Sequence, residues 1–149
     1  MGLERCFVAL QEHERTLDPD LLSGKTIVAA YLNQLFSACA LFDGRIFVAQ
    51  SREVVVGFVA VLAHKLPDAI DTAAKPYAYI SDLVVLPEAR GGGLGRALLE
   101  RAESYARKRG AVRIRLHVLA KNAKAVELYE AMGYRDYERE LERSLLGPQ

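Results

Sequence analysis

One segment constrains this chain more than any other: Val84-Val85-Leu86-Pro87-Glu88-Ala89-Arg90-Gly91-Gly92-Gly93-Leu94-Gly95-Arg96. A mostly apolar run, Tyr77–Leu86, is stopped by Pro87. A glycine-rich turn, Gly91–Gly95, follows, and then an amphipathic stretch begins. There Leu94, Ala97, Leu98, Ala102, Tyr105 and Ala106 share one helical face, and Gly110 supplies a stop. The order is strand, turn, helix. A helix start presents free N–H groups and the positive end of a dipole, and glycines let the backbone approach an anion and adopt positive φ. Such a turn suits a phosphate.

Two common phosphate loops do not fit. No Lys-Ser/Thr follows the last glycine, as a P-loop requires. A dinucleotide fingerprint is nearly matched, but it belongs on the first strand of a chain with a second mononucleotide half. Here the turn comes after residue 90 of 149, with too little chain left. Taken alone, a glycine pattern of this kind also describes a plain flexible β–α turn.

The remaining segments predict a mixed α/β domain over 1–149. Cys6–Leu10 reads as a first strand and Leu21–Ala40 as one or two helices. Arg45–Gln50 and Val54–His64 read as strands joined by Ser51-Arg52-Glu53; the second is apolar enough to be central. Lys65–Pro76 reads as a loop. Val112–Val118 alternates, with Ile114, Leu116 and Val118 on one face and Arg113, Arg115 and His117 on the other. Asn122 caps a short helix through Met132 that Gly133 closes, and Tyr134–Leu145 reads as a final strand or hairpin. Antiparallel hairpins thus meet a β-α-β crossover, in a central sheet of about six to seven strands with flanking helices.

Charge narrows the partners. The net charge of +1 hides a basic middle: residues 90–121 carry 9 basic and 2 acidic side chains, against 7 and 11 in residues 1–89 and 4 and 6 in residues 122–149. That pattern suggests two ligands of opposite sign. A nucleic-acid partner would want a larger surplus with interleaved aromatics, and the basic segment has only Tyr105. No apolar run reaches a membrane span of ~20 residues, so no membrane partner is expected. The first residues carry no signal-peptide pattern, which predicts a cytoplasmic protein. Cys6 and Cys39 lie far apart without a CxxC or a paired His, so they read as reduced thiols and no metal is expected.

Arg90, Gly93 and Gly95 resemble the Arg/Gln-x-x-Gly-x-Gly/Ala motif of the GNAT superfamily of N-acetyltransferases, with its Val-x-Pro lead-in at Val85-Leu86-Pro87. A second block, Asn122-Ala123-Lys124-Ala125-Val126-Glu127-Leu128-Tyr129-Glu130-Ala131-Met132-Gly133-Tyr134, is similar to the superfamily's Asn-x-x-Ala-x-x-x-Tyr-x-x-x-Gly-Phe/Tyr. Asn122, Ala125, Tyr129, Gly133 and Tyr134 fall in register, and the motifs and the elements between them cover about residues 54–135. The resemblance implies a GNAT fold with a splayed cleft for acetyl-CoA. The backbone of Leu83, Val84 and Val85 would pair with the pantetheine arm. The amides of Gly91, Gly92, Gly93, Leu94, Gly95 and Arg96 would cradle the pyrophosphate. Asn122 would touch the cofactor arm, cap its helix, or both. Arg96, Lys121 or Lys124 would meet the 3′-phosphate.

Acetyl transfer to an amine needs a base, an oxyanion donor and an acid for the departing thiolate. The resemblance assigns the acid to Tyr129 and the oxyanion donor to a backbone N–H of a bulged fourth strand near Val84 or Val85. Asp82, the one carboxylate in an apolar strand, is the favoured base, because a charge there is costly unless paired or used. His117, on the polar face of the strand before Asn122, is the second candidate, since an imidazole can accept a proton from an acceptor amine. Within the superfamily, Tyr79–Val85 and the preceding Leu66-Pro67 are similar to the aminoglycoside 3-N-acetyltransferases, in which an aspartate at the Asp82 position lies beside the acceptor amine. That implies a polycationic acceptor, with Glu12, Glu14, Asp18, Asp20, Asp68 and Asp71 as candidate lining. Another small amine or a protein amine stays open as acceptor, as does a non-catalytic acyl-CoA-binding module. Homodimers are common in the superfamily; the apolar N-terminal helices or the last strand would supply the interface.

Overall fold

The computed structural model describes residues 2–147. Nine elements follow one another, one of them a short 3-10 turn at Pro87–Ala89: α1 (Gly2–Leu17), α2 (Gly24–Leu41), β1 (Gly44–Ser51), β2 (Val54–Lys65), β3 (Tyr77–Val85), α3 (Leu94–Lys108), β4 (Ile114–Leu116) and α4 (Ala123–Ala131). The sheet has four strands in the order β1-β2-β3-β4, not six to seven. The β1–β2 and β2–β3 pairs are antiparallel, and β3–β4 is parallel across α3. Hairpins therefore do meet a crossover, as the sequence predicts.

Layers explain the burial. β2 is buried without a break from Val56 to Ala63, because both faces are covered. Phe58 and Ala60 join Cys6, Leu32 and Leu35 under α1 and α2; Val59 and Val61 join Leu98, Leu99, Ala102 and Ala106 under α3. The buried face of α3 includes Leu99, while Ala97 is exposed, so the helix is rotated from the face read off the sequence.

Three expectations fail. Cys6–Leu10 is no strand but part of α1. Leu3, Cys6, Phe7, Leu10, Gln11 and Glu14 recur at helical spacing, and Cys6, Phe7 and Gln11 are buried. β4 shrinks from Val112–Val118 to three residues, and Val112 is almost fully exposed. Tyr134–Leu145 forms no strand. Its exposed apolar residues, Tyr137, Leu141 and Leu145, recur every four positions among charges, so no period-2 face exists to lay on a sheet.

One irregularity organises the rest. Asp82 pairs with Ala60 and Ile80 with Val61, which leaves Ser81 as an extra residue in β3. A one-residue bulge reverses the facing of every side chain beyond it. Ala78 and Ile80, before the bulge, lie in the α3-side core; Val84, after it, lies in the α1/α2-side core. Asp82 accordingly faces α1 and α2. The parallel pairing with β4 also stops there, at Ile80–Leu116. The bulge thus sits at Ser81, not near Val84 or Val85, and in the third strand, not a fourth.

Candidate active site

Beyond Ile80, β3 has β2 as its strand partner on one side and, among the described residues, no strand on the other. Leu83, Val84 and Val85 form that open edge. Such an edge can take an added extended chain. Arg90 donates from Nε to the Val85 carbonyl at 2.9 Å, which ties the following turn to the end of the strand.

The turn is built as its glycines predict. Gly91 and Gly93 adopt φ of 89° and 78°, the left-handed region that favours glycine, and a Cβ at Gly91, Gly92 or Gly93 would meet nothing within 4 Å. Gly93 is the N-cap of α3 and lends no side-chain cap. Among the described residues, the amides of 91–96 find no hydrogen-bond acceptor; the first amide of the helix to do so is Ala97, bonding Gly93 at 3.0 Å. A run of free donors at a helix start, open to solvent and capped by no side chain, fits a diphosphate. Gly95 differs: a Cβ there would stand in ordinary contact with Leu128 Cδ2, at 3.5 Å, so nothing in the packing demands a glycine at this position. Arg96 spends its Nε on Glu100 at 3.3 Å, while Lys121 and Lys124 are exposed.

Asn122 caps α4, its Oδ1 accepting from the Ala125 amide at 3.4 Å. That is the capping half of its expected role; its amide donors are left over. Tyr129, on α4, packs its half-buried ring against the α3-side core and meets Tyr134 edge-on at 5.9 Å. Tyr134 in turn donates to Glu103 Oε2 at 2.9 Å. Among the described residues the Tyr129 hydroxyl has no hydrogen-bond partner. Burial first, and then the charges of Glu14 and Asp82, push it up to about 12. A phenol based in the α3-side core thus feels carboxylates of the α1/α2 layer, which the parting of β3 from β4 permits.

Asp82 is 6 % exposed. Its Oδ1 accepts from the Tyr31 hydroxyl at 2.7 Å and its Oδ2 from Ser81 Oγ at 3.0 Å. Burial raises the carboxyl above the usual range, and the two hydroxyls oppose that rise. Glu14 is half-buried on α1, and burial, followed by the charge of Asp82, raises it too. His117 is exposed, and its Nδ1 lies 2.5 Å from Tyr79 Oη. Tyr79 itself is raised by burial and then by Asp82.

The acidic lining sorts itself. Glu12 is structural: its Oε1 accepts from the Gly24 amide at 2.8 Å and from Ser23, capping α2 from α1, and its Oε2 meets Arg15 at 2.6 Å. Asp18 accepts from the Asp20 amide. Asp68 and Asp71 are exposed on the loop between β2 and β3. Of the six acidic candidates, Glu14 is the one tied to the site: the charge of Asp82 raises it, and its own charge raises Tyr129. Tyr31 escapes the sequence reading altogether. Its signal is its place on the inward stripe of α2 with Val28, Leu32, Leu35 and Cys39.

Among the described residues no three His, Cys, Asp or Glu gather in a way that would hold a metal ion, and no helix is long and apolar enough to cross a membrane. A cavity of about 370 Å³ lies elsewhere, between His64, Lys75, Tyr77, Arg109 and Arg113.

Similar proteins bear on this arrangement. A streptothricin acetyltransferase of Streptomyces lavendulae is 37% identical over 93 residues, 62% of this chain and 45% of that protein. A thialysine N-epsilon-acetyltransferase of Sus scrofa is 41% identical over 58 residues, 39% of this chain and 34% of that protein. The chain therefore matches less than half the length of these curated relatives. An aminoglycoside 6'-N-acetyltransferase of Acinetobacter haemolyticus superposes with a TM-score of 0.63 at 17% identity, over 78% of this chain and 79% of that one, a likeness of fold. The profile of the acetyltransferase (GNAT) family matches residues 9–134. That span holds the glycine turn, the capped helix and the unpartnered phenol, and the chain belongs to the acetyltransferase (GNAT) family.

Proposed function

We propose that this chain is an acetyl-CoA-dependent N-acetyltransferase acting on a cationic primary amine, with Asp82 as base and Tyr129 as acid. One observation carries the reading. Free amides at the start of α3 and an unpartnered phenol on α4 flank the open edge of β3, on which the buried Asp82 stands.

Acetyl-CoA supplies an activated thioester to this cleft. The amides of 91–96 hold its diphosphate, and the edge of Leu83–Val85 aligns its arm. A free N–H on that edge polarises the reacting carbonyl. Asp82 removes a proton from the acceptor ammonium, directly or through water. Burial tunes it for this, because a raised carboxyl is a stronger base than an exposed one. Tyr129 keeps a proton for the departing thiolate. His117, joined to Tyr79, is the alternative base.

The negative potential of Glu14 and Asp82 favours a cation, and an acceptor with more than one ammonium gains most. An aminoglycoside is our best candidate for that acceptor. The streptothricin relative supports a cationic antibiotic amine in general, and the aminoglycoside relative is named for the 6' position, so position 3 gains no separate support. Another small amine or a protein amine is the alternative.

Thiol release from acetyl-CoA, followed with kanamycin, a thialysine-like amino acid, a simple diamine and a lysine peptide, tests this. Turnover with at least one amine is expected, and Glu14→Gln should raise KM several-fold for multiply charged acceptors while changing KM for monoamines little. Acetyl-CoA binding without turnover on any amine would instead mark a binding module. The turn has its own test. Gly93→Val forces a β-branched residue to φ 78° and sets methyl groups over the free amides, whereas α3 stays anchored by Leu98, Leu99, Ala102 and Ala106. The Kd for acetyl-CoA, by calorimetry, should rise about tenfold or more, because valine lets the free turn leave positive φ and binding must restore it at ~1–2 kcal/mol. An unchanged Kd would remove the turn from the binding site.

A further inference from the structure

The Asp82 carboxylate is held by a side chain that plays no part in the two family motifs. Tyr31 lies on α2, its ring stacked on Phe7 of α1 with centroids 4.2 Å apart and planes 21° apart. Phe7 is fully buried, so the phenol is fixed from behind. Its hydroxyl donates to Oδ1 of Asp82 at 2.7 Å, and Ser81, the bulge residue, donates to Oδ2. The two bonds come from different elements and address different oxygens. Together they fix the rotation of the carboxylate and leave one lone pair on each oxygen for an acceptor.

We propose that Tyr31 is the positioning residue of the general base: through its hydrogen bond to Oδ1 it orients the Asp82 carboxylate and favours its charged form. The proposal rests on the reading of Asp82 as base. A hydroxyl donating to a charged oxygen stabilises the charged form and so opposes the effect of burial. The other groups facing Asp82 act the opposite way or make no bond to it. Glu14 from α1 is negative, Cys39 from α2 is a raised thiol, and Tyr79 on β3 and Tyr129 on α4 are raised phenols without a hydrogen bond to Asp82. Among the described residues, Tyr31 and Ser81 are the two that donate to it. Phe7 makes Tyr31 the better anchored of the two, since Ser81 sits where the strand is irregular.

The test is the pH profile of kcat/KM for the best amine of the panel. Tyr31→Phe keeps the stacked ring and removes only the donor. Its acid limb should move to higher pH, giving about tenfold lower kcat/KM on the acid side, the scale of one hydrogen bond to a charged group. At high pH the rate should return to within about twofold of the unsubstituted enzyme, and KM for acetyl-CoA should not change. A merely structural role would lower the rate equally at every pH, and that result, or an unmoved limb, overturns the proposal. If Tyr31→Phe does not yield folded protein, 3-fluorotyrosine placed at residue 31 alone is nearly isosteric and a stronger donor. It should move the limb to lower pH, and an unmoved limb again overturns the proposal. Asp82→Asn, run beside these, separates the two readings. Full activity in it removes the base assignment and the role of Tyr31 together. A dead Asp82→Asn with an unmoved limb at residue 31 removes the role of Tyr31 alone.

Discussion

Asp82→Asn will lower kcat by at least about a hundredfold near neutral pH, the usual scale of a general base, and will make the protein more stable. The two effects share one cause. Asp82 is nearly closed to solvent, and burial lifts its carboxyl above the value it has in the unfolded chain. For a group raised on folding, the stabilising contribution is complete at low pH, where both states are protonated. It is lost as the pH rises through the folded-state value, because the charge must then be held in a poor solvent. Asparagine has no charge to hold. It keeps an oxygen for the Tyr31 hydroxyl, and the Ser81 hydroxyl can turn to accept from its amide. The melting temperatures of the two proteins should therefore agree at acid pH and separate as the pH rises, with Asp82→Asn the higher. Paired thermal melts across the pH range, read beside kcat, check this. If the gap widens toward acid pH instead, the carboxylate is a net stabiliser and the cost assigned to its burial is wrong.

The parts of the site that sequence makes legible are those written in consecutive residues. The turn at Gly91–Gly95 needs positive φ and an open backbone, and glycine is how a sequence encodes both. The cap at Asn122 and the stop at Gly133 bracket α4 within one short block. β2 reads as central because a strand covered on both faces loses its alternation. The convergence on Asp82 is different, since it depends on a register and on two helices. Strict alternation through Tyr77–Val85 would put Asp82 with Ala78 and Ile80 in the core under α3. One extra residue at Ser81 turns it to α1 and α2, beside Tyr31. No residue type in Ile80-Ser81-Asp82 demands a bulge, so pattern alone does not announce it.

The misreading of α1 hides Glu14 in the same way. Cys6–Leu10 is a short apolar run, and such runs do not separate strand from helix. Followed over the whole of α1, the stripe through Leu3, Phe7 and Leu10 reaches Glu14 one turn later, an acidic side chain on the inward face of an amphipathic helix. The sheet holds fewer strands than the pattern predicts for two related reasons. One supposed strand is α1, and another is a charged tail whose apolar residues recur every four positions.

Tyr129→Phe is expected to reduce kcat by about a hundredfold or more while leaving the Kd for acetyl-CoA and the melting temperature nearly unchanged. The stability half follows from contacts. The ring packs on the α3-side core and against Tyr134, and phenylalanine preserves both. The hydroxyl has no partner among the described residues, so its removal orphans none of them. The catalytic half follows from charge. A phenol pushed up to about 12 holds its proton across the working range, so it is ready to donate, yet it is a weak acid toward a thiolate of ordinary pKa ~8.5. Two of the causes that raise it are the negative charges of Glu14 and Asp82. On the proposed reading, a cationic acceptor bound near those carboxylates would cancel part of their field, and the phenol would become a better acid when there is an amine to acetylate. Glu14→Gln in the Tyr129 enzyme removes one of those charges for good, so it should leave kcat undiminished or raise it modestly, most for monoamines, which cancel least of the field. In the Tyr129→Phe background it should change kcat hardly at all, because the group it acts on is gone. Steady-state kinetics of the two single variants and the double variant measure that coupling. Strictly additive effects would mean that the phenol and the helix α1 carboxylate work apart, and an undiminished kcat in Tyr129→Phe would take the acid role away from this residue.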